Sequence, residues 1–225
     1  MRPAALIFDV DGTLAETEEA HRRAFNETFS EAGLDWHWSR ETYADLLRTT
    51  GGKERMRVWR AAMGDGPTDD EIPALHRSKT ARYGDILASG GLALRPGVAE
   101  LVATACARGQ RLAVATTTNT PNVEALCQAC WTQPADRVFD VIAAGDEVAA
   151  KKPAPDVYLL ALERLGLRPA DAVALEDSRN GVLSARAAGL PVIVTPSAYT
   201  AGDDFTGAQA VIPDLTPDNL PTALR

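Results

Sequence analysis

The sequence is poor in cysteine, lacks any long apolar run and has more acidic than basic residues. Three cysteines among 225 residues are too few, and odd in number, for the disulfide framework of a secreted domain, so we expect reduced thiols. No stretch approaches the roughly 18 uninterrupted apolar residues of a membrane-spanning helix. A net charge of −8 argues against a nucleic-acid partner, because affinity for a phosphate backbone comes from lysine and arginine.

The N-terminal segment and the composition indicate a folded protein of the cytoplasm. Only a handful of apolar residues precede Asp9, too few for the core of a signal peptide. With 45% hydrophobic and 24% charged residues, the chain has the composition of a globular protein of one large or two modest domains. We therefore expect a cytoplasmic protein without a membrane partner.

Short apolar runs, each bounded by polar or turn residues, predict five buried strands at residues 4–8, 112–115, 138–143, 172–175 and 192–194. From about residue 95 onward, segments with helical spacing lie between these runs. Alternating strands and helices favour an α/β fold, a Rossmann-like doubly wound parallel sheet with helices on both faces.

Residues 17–92 interrupt this alternation with helical patterns and no convincing strand. One helix is predicted around Phe25, a second from Leu46 onward and a third from Thr68, where Thr68 and Glu71 have the spacing of a capping box. The pattern predicts an all-α domain inserted into the α/β core. The predicted domains are the core, residues 1–16 and 93–225, and the helical insertion, residues 17–92.

Polar side chains follow the predicted strands at the points where the strands end. Asp9 and Asp11 follow the first strand, Thr116 follows the second, and the pair Glu176 and Asp177 follows the fourth. Because the carboxyl ends of parallel strands share one edge of a sheet, we expect these residues to converge there. Residues at i and i+2 of a strand point to the same side, so extended backbone would direct both first-strand carboxylates into one site.

Crowded carboxylates imply a bound cation. Four of them repel one another unless a hard divalent ion lies between them, and an oxygen-only ligand set suits Mg²⁺ rather than zinc. Lys152, between the third strand and its helix, adds a positive charge, and Thr116 adds a hydroxyl donor. Carboxylate, cation, lysine and hydroxyl together meet the demands of phosphoryl transfer.

These motifs, in this order, resemble the four motifs of the haloacid-dehalogenase-like (HAD) phosphohydrolases. They are Asp9-Val-Asp-Gly-Thr-Leu, the apolar run closed by Thr116, Lys152-Pro153 and Glu176-Asp177. The resemblance covers nearly the whole chain, and the helical insertion is similar to the cap domain of the subgroup that contains β-phosphoglucomutase and phosphoglycolate phosphatase. Residues 11–19, 49–55 and 115–118 resemble the CbbY-type enzymes, which remove a phosphate from xylulose-1,5-bisphosphate and so clear a Rubisco inhibitor of the Calvin cycle.

The resemblance implies a two-step mechanism on two aspartates. Asp9 would attack phosphorus to form an aspartyl-phosphate, and Asp11 would protonate the leaving sugar oxygen and then take a proton from the hydrolytic water. Mg²⁺ would be held by an Asp9 carboxylate oxygen, the Asp11 backbone carbonyl and Asp177, with Glu176 bound directly or through water.

The resemblance also implies residues that hold the substrate, a small sugar phosphate. Thr116 and the Thr117 amide would hold phosphoryl oxygens beside Thr118, and Lys152 would bridge the nucleophile and the phosphate. In the cap, the loop at residues 51–55 supplies free amides and two cations, as a distal phosphate requires. The candidate cap residues are Glu18, His21, Tyr43, Gly52, Lys53, Arg55 and Lys79.

Other functions remain open at this point. A phosphomutase has the same core but returns the phosphate to the sugar, and a phosphoglycolate phosphatase differs in its cap contacts. A receiver-type signalling module also has a phosphoaspartate, a hydroxyl residue and a lysine at strand ends, but it is much shorter and lacks a helical insertion after the first strand. Since the cap is small and the core complete, we expect a monomer.

Overall fold

A computed structural model describes residues 2–225, and the chain divides into two compact units. The core unit comprises the N-terminal residues as far as Glu16 together with Leu92–Arg225, and the cap unit comprises Thr17–Gly91. The cap unit is therefore an insertion that follows the first strand of the core.

The core unit contains one sheet of six parallel strands. Its central strands are β1 and β4, and the order across the sheet is β3-β2-β1-β4-β5-β6. The prediction of a doubly wound α/β fold is confirmed. The strands are β1 Ala5–Phe8, β2 Arg111–Ala115, β3 Val141–Ala143, β4 Ala172–Glu176, β5 Val192–Val194 and β6 Ala210–Val211.

Nine α-helices and one short 3₁₀ helix, Pro169–Asp171, complete the two units in the described part of the chain. In the cap unit they are α1 Glu18–Glu31, α2 Arg40–Leu46, α3 Gly52–Met63 and α4 Ile72–Ala88. In the core unit they are α5 Val98–Ala107, α6 Thr120–Trp131, α7 Ala135–Val138, α8 Asp156–Leu165 and α9 Arg179–Ala187. None of the helices within residues 2–225 has both the length and the apolar character that crossing a bilayer requires.

Small apolar side chains line one face of the sheet. Because strand residues alternate between faces, Ala5 and Ile7 of β1 point to the same side, and they join a buried cluster with residues of α8 and α9. Alanines on β2 and β4 occupy the same face, which lets the helices approach the sheet closely. This packing fixes the strand ends, where the polar residues begin.

The predicted strand at 138–143 and the helix predicted from Leu46 do not match the structure. The apolar run at 138–143 is not one strand, because Val138 ends α7 and the strand begins only at Val141. Asp140 lies between them, and its carboxylate accepts a hydrogen bond from the Leu112 amide at 2.8 Å. The helix predicted from Leu46 onward is also wrong. Leu46 is the last residue of α2, and α3 begins at Gly52, after Gly51 with φ of 100° has reversed the chain.

An aromatic cluster forms the interior of the cap unit. The Trp38 ring lies 4.5 Å from the Phe25 ring and 4.9 Å from the Phe29 ring, centroid to centroid, and Trp36 packs edge-on against Phe29. The Asn26 side chain accepts from the Trp38 amide and donates to its carbonyl, which fixes the loop between α1 and α2. The cluster comprises Phe25, Phe29, Trp36, Trp38, Tyr43 and Trp59.

Only the Glu71 half of the predicted capping box forms, one turn ahead of α4. A Glu71 carboxylate oxygen accepts hydrogen bonds from the Thr68 amide and hydroxyl, at 2.8 and 2.9 Å. The helix predicted from Thr68 begins instead at Ile72, so that predicted start is wrong and Thr68 lies in the preceding turn.

Candidate active site

The sheet places Asp9 beside the acidic pair at the end of β4. Strands β1 and β4 are parallel, with Phe8 opposite Leu175, and the Asp9 amide donates to the Leu175 carbonyl at 2.9 Å. Asp9 is therefore the next residue after β1, while Glu176 ends β4 and Asp177 follows it. The ends of these two adjacent strands thus bring three carboxylates close together.

These three carboxylates form a buried cluster that fits a divalent cation. One oxygen of each of Asp9, Glu176 and Asp177 lies within 4.8 Å of the others, and all three residues are at least nine-tenths buried. The donor set is oxygen only, which suits a hard ion such as Mg²⁺. The Asp11 carboxylate is half-buried and is not a member of this cluster, although its charge acts on Asp9.

Lys152 is the cation that the structure places among these carboxylates. Its ammonium group donates to Asp9 Oδ1 at 2.7 Å and to Glu176 Oε1 at 2.6 Å, and its side chain is 3% exposed. The residue lies in the loop between β3 and α8 and precedes a cis peptide bond to Pro153. One buried lysine among three buried carboxylates leaves an excess of negative charge.

Tyr158, Gly12 and Gly181 complete the environment of the cluster, and of these only Gly12 belongs to a motif recognised in the sequence. The Tyr158 hydroxyl donates to Glu176 Oε1 at 2.5 Å. Gly12, with φ of 85°, has no space for a side chain, because a Cβ atom would lie 2.2 Å from Asp177 Oδ2. Gly181 on α9 is equally restricted, since a Cβ atom there would lie 1.8 Å from Glu176 Oε2.

Burial dominates the protonation of the site. Burial, opposed by Lys152 and reinforced by the charges of Glu176 and Asp11, raises the pKa of the Asp9 carboxyl to about 8. Burial lowers the pKa of Lys152, but the charges of Asp9 and Glu176 outweigh it, so the net shift is upward. Burial, with the Glu176 charge, also raises the pKa of Tyr158, so the hydroxyl remains a donor.

The threonine loop after β2 leads into the N-terminus of α6. Thr116 is buried, and its hydroxyl accepts from the Thr118 amide at 3.2 Å. The Thr118 hydroxyl in turn accepts from the Asn122 side chain at 2.7 Å, and its carbonyl accepts from the Gly145 amide at 2.8 Å. Thr117 lies between them, half-buried, so the loop is held at both ends beside the N-terminus of α6, a position that favours anions.

In the cap unit, three of the candidate residues form one hydrogen-bonded group. The buried Tyr43 hydroxyl donates to Glu18 Oε2 at 2.7 Å and accepts from Arg55 Nη1 at 3.2 Å. Arg55 Nε also donates to the Thr49 carbonyl at 2.9 Å. These contacts fix an acid, a phenol and a guanidinium in one place.

The other cap candidates lie in two places. The buried Lys79 ammonium lies 2.5 Å from His21 Nδ1, and the His21 ring stacks on Tyr83 with 3.9 Å between centroids. Gly52 and Lys53 form the first turn of α3, where Gly52 approaches the His76 ring closely. The half-buried Lys53 ammonium has no hydrogen-bond or ion-pair partner within residues 2–225, so it is available to an anion.

Comparison with known proteins decides the family. A family model described as haloacid dehalogenase-like hydrolase matches residues 3–189, most of the chain. The chain belongs to the haloacid dehalogenase-like hydrolases. The resemblance seen in the motifs is thereby confirmed, and this HAD hydrolase is an enzyme.

Individual members of the family differ in how similar their sequences are to this chain. Protein CbbY of Rhodobacter capsulatus is 63% identical over 96% of this chain and 95% of its own length. The phosphoglycolate phosphatase of Escherichia coli K12 is 30% identical over 87% of this chain and 82% of its own length. The HAD hydrolase is therefore far more similar to CbbY than to that phosphatase.

A solved structure of CbbY shares the whole architecture. The crystal structure of CbbY from Rhodobacter sphaeroides with phosphate matches 99% of both chains, with a TM-score of 0.95 and 54% identity. A variant of the same CbbY, solved with xylulose-1,5-bisphosphate, matches 96% of both chains with a TM-score of 0.93 and 54% identity.

The charge excess of the cluster predicts that a divalent cation such as Mg²⁺, when held there, would displace a proton. Because the Asp9 pKa is about 8 without a cation, the carboxyl is mostly protonated near neutral pH, whereas a metal ligand is deprotonated. Mg²⁺ affinity should therefore rise with pH up to about 8 and then level off. Calorimetric titration in buffers of different ionisation enthalpy measures the proton count, and a pH-independent affinity would contradict this coupling.

Replacing Gly181 with alanine should distort Glu176. The new methyl group would overlap the carboxylate, and overpacking of this kind costs about 1–3 kcal/mol. We expect a lower melting temperature and weaker Mg²⁺ binding. Gly84→Ala is the matched control, because Gly84 lies inside α4 with open space around it and alanine there should stabilise by about 0.5–1 kcal/mol. Equal effects of the two substitutions would disprove the steric reading.

Proposed function

We propose that this HAD hydrolase is an Mg²⁺-dependent phosphatase that hydrolyses xylulose-1,5-bisphosphate through an aspartyl-phosphate on Asp9. The supporting observation is the similarity over nearly the full chain to a CbbY whose variant was solved with that bisphosphate. The buried cluster of three carboxylates and one lysine supports the chemistry. We further propose a monomer that acts in the cytoplasm.

In this proposal Asp9 forms and loses one bond to phosphorus. Its carboxylate attacks the phosphoryl group, the bond from phosphorus to the sugar oxygen breaks, and Asp11 gives that oxygen a proton. A water molecule then attacks the aspartyl-phosphate, Asp11 takes its proton, and inorganic phosphate leaves with Asp9 restored. Asp11 fits the shuttle because it is half-buried and lies outside the carboxylate cluster.

Charge neutralisation explains the remaining core residues. Mg²⁺ held by Asp9, Asp177, the Asp11 carbonyl and Glu176 would neutralise charge on the phosphoryl oxygens. Lys152 holds the Asp9 carboxylate oriented through its 2.7 Å hydrogen bond. We propose that Thr116, Thr117 and Thr118 hold the phosphoryl oxygens, since hydroxyl and amide groups add donors without further charge.

The cap residues are proposed to bind the rest of the sugar bisphosphate. Lys53, with its unpartnered ammonium at the first turn of α3, and Gly52 suit the distal phosphate. The linked Glu18, Tyr43 and Arg55 offer an acceptor and donors to sugar hydroxyls. His21 and Lys79 are proposed as a further polar pair for substrate.

The test is phosphate release from a panel of four compounds, scored by kcat/KM. The panel holds xylulose-1,5-bisphosphate, ribulose-1,5-bisphosphate, phosphoglycolate and β-glucose-1-phosphate. We expect a preference for the first of ~10²-fold, or about 2.7 kcal/mol of transition-state binding. Equal rates on all four would overturn the substrate assignment. An isomerised sugar phosphate in place of free phosphate would indicate a phosphomutase, and a preference for phosphoglycolate would indicate that phosphatase.

The proposed contact between Lys53 and the distal phosphate predicts the effect of one substitution. Lys53→Met should lower kcat/KM for the bisphosphate by about 10–100-fold and leave the rate on phosphoglycolate nearly unchanged, because a charge-assisted contact is lost. Arg57→Met is the matched control on the same helix, since the Arg57 guanidinium already pairs with Asp69 at 3.2 Å. Equal losses of kcat/KM in both variants would show that the overall charge of the helix, and not a defined contact of Lys53, is responsible.

A further inference from the structure

Arg95 is a largely buried cation of the core unit that the proposed mechanism does not use. Its side chain is 10% exposed, and it lies just after the chain returns to the core unit at Leu92. A guanidinium group has five N–H donors and no acceptor, so a buried arginine requires several acceptors. The acceptors of Arg95 come from two separate loops at the carboxyl edge of the sheet.

The first loop is the one that carries the acidic motif after β1. Arg95 Nη1 donates to the Gly12 carbonyl, and the Arg95 amide donates to the Leu14 carbonyl at 2.8 Å. Arg95 Nε pairs with Glu16 Oε1 at 3.3 Å. The arginine therefore holds the backbone immediately after Asp11.

The second loop follows β5. Arg95 Nη1 donates to the Thr195 carbonyl at 2.7 Å, and Nη2 donates to the Pro196 carbonyl at 2.7 Å. The planar fork of one guanidinium thus links two loops that lie far apart in the sequence, one at Gly12 and the other at Thr195 and Pro196. A lysine, with a single compact ammonium, lacks this fork.

Both loops that Arg95 holds lie beside Asp177. From the first loop, Gly12 packs so closely that a Cβ atom would lie 2.2 Å from Asp177 Oδ2. From the second loop, the Ser197 amide donates to the Thr200 hydroxyl at 2.9 Å, which donates to the Asp177 carbonyl at 2.7 Å. The Thr200 hydroxyl also lies 3.3 Å from Asp177 Oδ2. Asp177 is thus confined from both sides by backbone that Arg95 fixes.

We propose that Arg95 is a positioning residue that sets the affinity of the acidic cluster for a divalent cation by locking the β1 and β5 loops around Asp177. It touches neither the cluster nor the substrate, and it acts through Gly12 and Ser197. Groups that orient metal ligands in this way typically change metal affinity by about 10–100-fold when they are removed. This inference rests on the proposed function in one respect, the assignment of the cluster as the Mg²⁺ site.

The experiment is a calorimetric titration of the full chain with Mg²⁺ in the absence of substrate. Arg95→Met keeps the volume of the side chain and removes its donors, and we expect its Kd for Mg²⁺ to rise by about 10–100-fold. Arg95→Lys keeps the charge without the fork, and we expect its Kd to rise several-fold. The matched control is Arg108→Met, which also removes a hydrogen bond from an arginine to a backbone carbonyl, that of Leu224 at 3.0 Å, but outside the site.

The outcomes separate the two proposals. If the wild-type chain does not bind Mg²⁺, the assignment of the cluster as a metal site fails. If the wild type binds and both Arg95 variants bind with unchanged Kd, the positioning role fails alone. If Arg95→Met does not fold, Arg95→Lys decides, with unchanged affinity contradicting the role. If Arg95→Met loses no more Mg²⁺ affinity than Arg108→Met does, the loss reflects general destabilisation, and the positioning role of Arg95 fails as well.

Discussion

The Asp9→Asn variant should release no phosphate from any member of the substrate panel. The amide cannot act as the nucleophile, so we expect kcat to fall by at least about 10⁴-fold, as when the nucleophile of a covalent mechanism is removed. The measurement is phosphate release at saturating Mg²⁺. Asp9→Ala is the check on trace activity, because alanine cannot revert to aspartate by deamidation.

The same variant should keep its fold. The Asp9 pKa is raised from 3.8 to about 8 in the folded state, so without a cation the free energy of unfolding falls as the pH rises from about 4 to about 8 and stays at that lower level above pH 8. At about pH 9 and without Mg²⁺, Asp9→Asn should therefore melt at a temperature equal to or above that of the wild type. Appreciable hydrolysis by a folded Asp9→Asn would eliminate the covalent mechanism.

Lys152→Met should lose both stability and activity. Removing the lysine leaves the Glu176 carboxylate buried without its cation and takes a hydrogen-bond donor from Asp9, which typically costs about 3–5 kcal/mol. We also expect kcat to fall by at least about 10²-fold, because the nucleophile loses its orienting donor. Denaturant titration gives the free energy of unfolding, and Mg²⁺ should restore part of it by neutralising the same carboxylates.

Lys151→Met is the matched control for that prediction. It removes the same charge one residue earlier, from a half-buried position in the loop rather than from between the carboxylates. We expect kcat within about twofold of the wild type, since changes away from the buried network have small effects. A comparable loss in both variants would show that loop charge, not the Asp9 contact, is responsible.

Residues whose role depends on local sequence were predictable. Asp9, Thr116 and the pair Glu176 and Asp177 each follow a short apolar run, and a parallel sheet brings such positions to one edge. Strands β1, β2, β4 and β5 were therefore predictable as well, whereas the run predicted as the third strand included the end of α7. The two residues of β6 were not, because a run this short carries no periodicity.

Residues whose role depends on distant contacts were not predictable. Tyr158 lies on the apolar face of α8 and has the pattern of an ordinary core residue, yet its hydroxyl donates to Glu176, 18 positions away. Arg95 gains its role from partners 83 and 100 residues away in the chain. Only the tertiary structure brings such pairs together, so no spacing rule within a helix or strand reveals them.

The aromatic cluster gives the cap unit its own optical signal. Three of the four tryptophans, Trp36, Trp38 and Trp59, lie in that unit, whereas Trp131 is in the core unit. Intrinsic fluorescence is therefore weighted toward the cap, while far-ultraviolet circular dichroism reports helices in both units. Coincident denaturation curves from the two probes would show that the units unfold together, and separate curves would show that they unfold one after the other. Tryptophan emission thus makes the stability of the inserted unit measurable without a label.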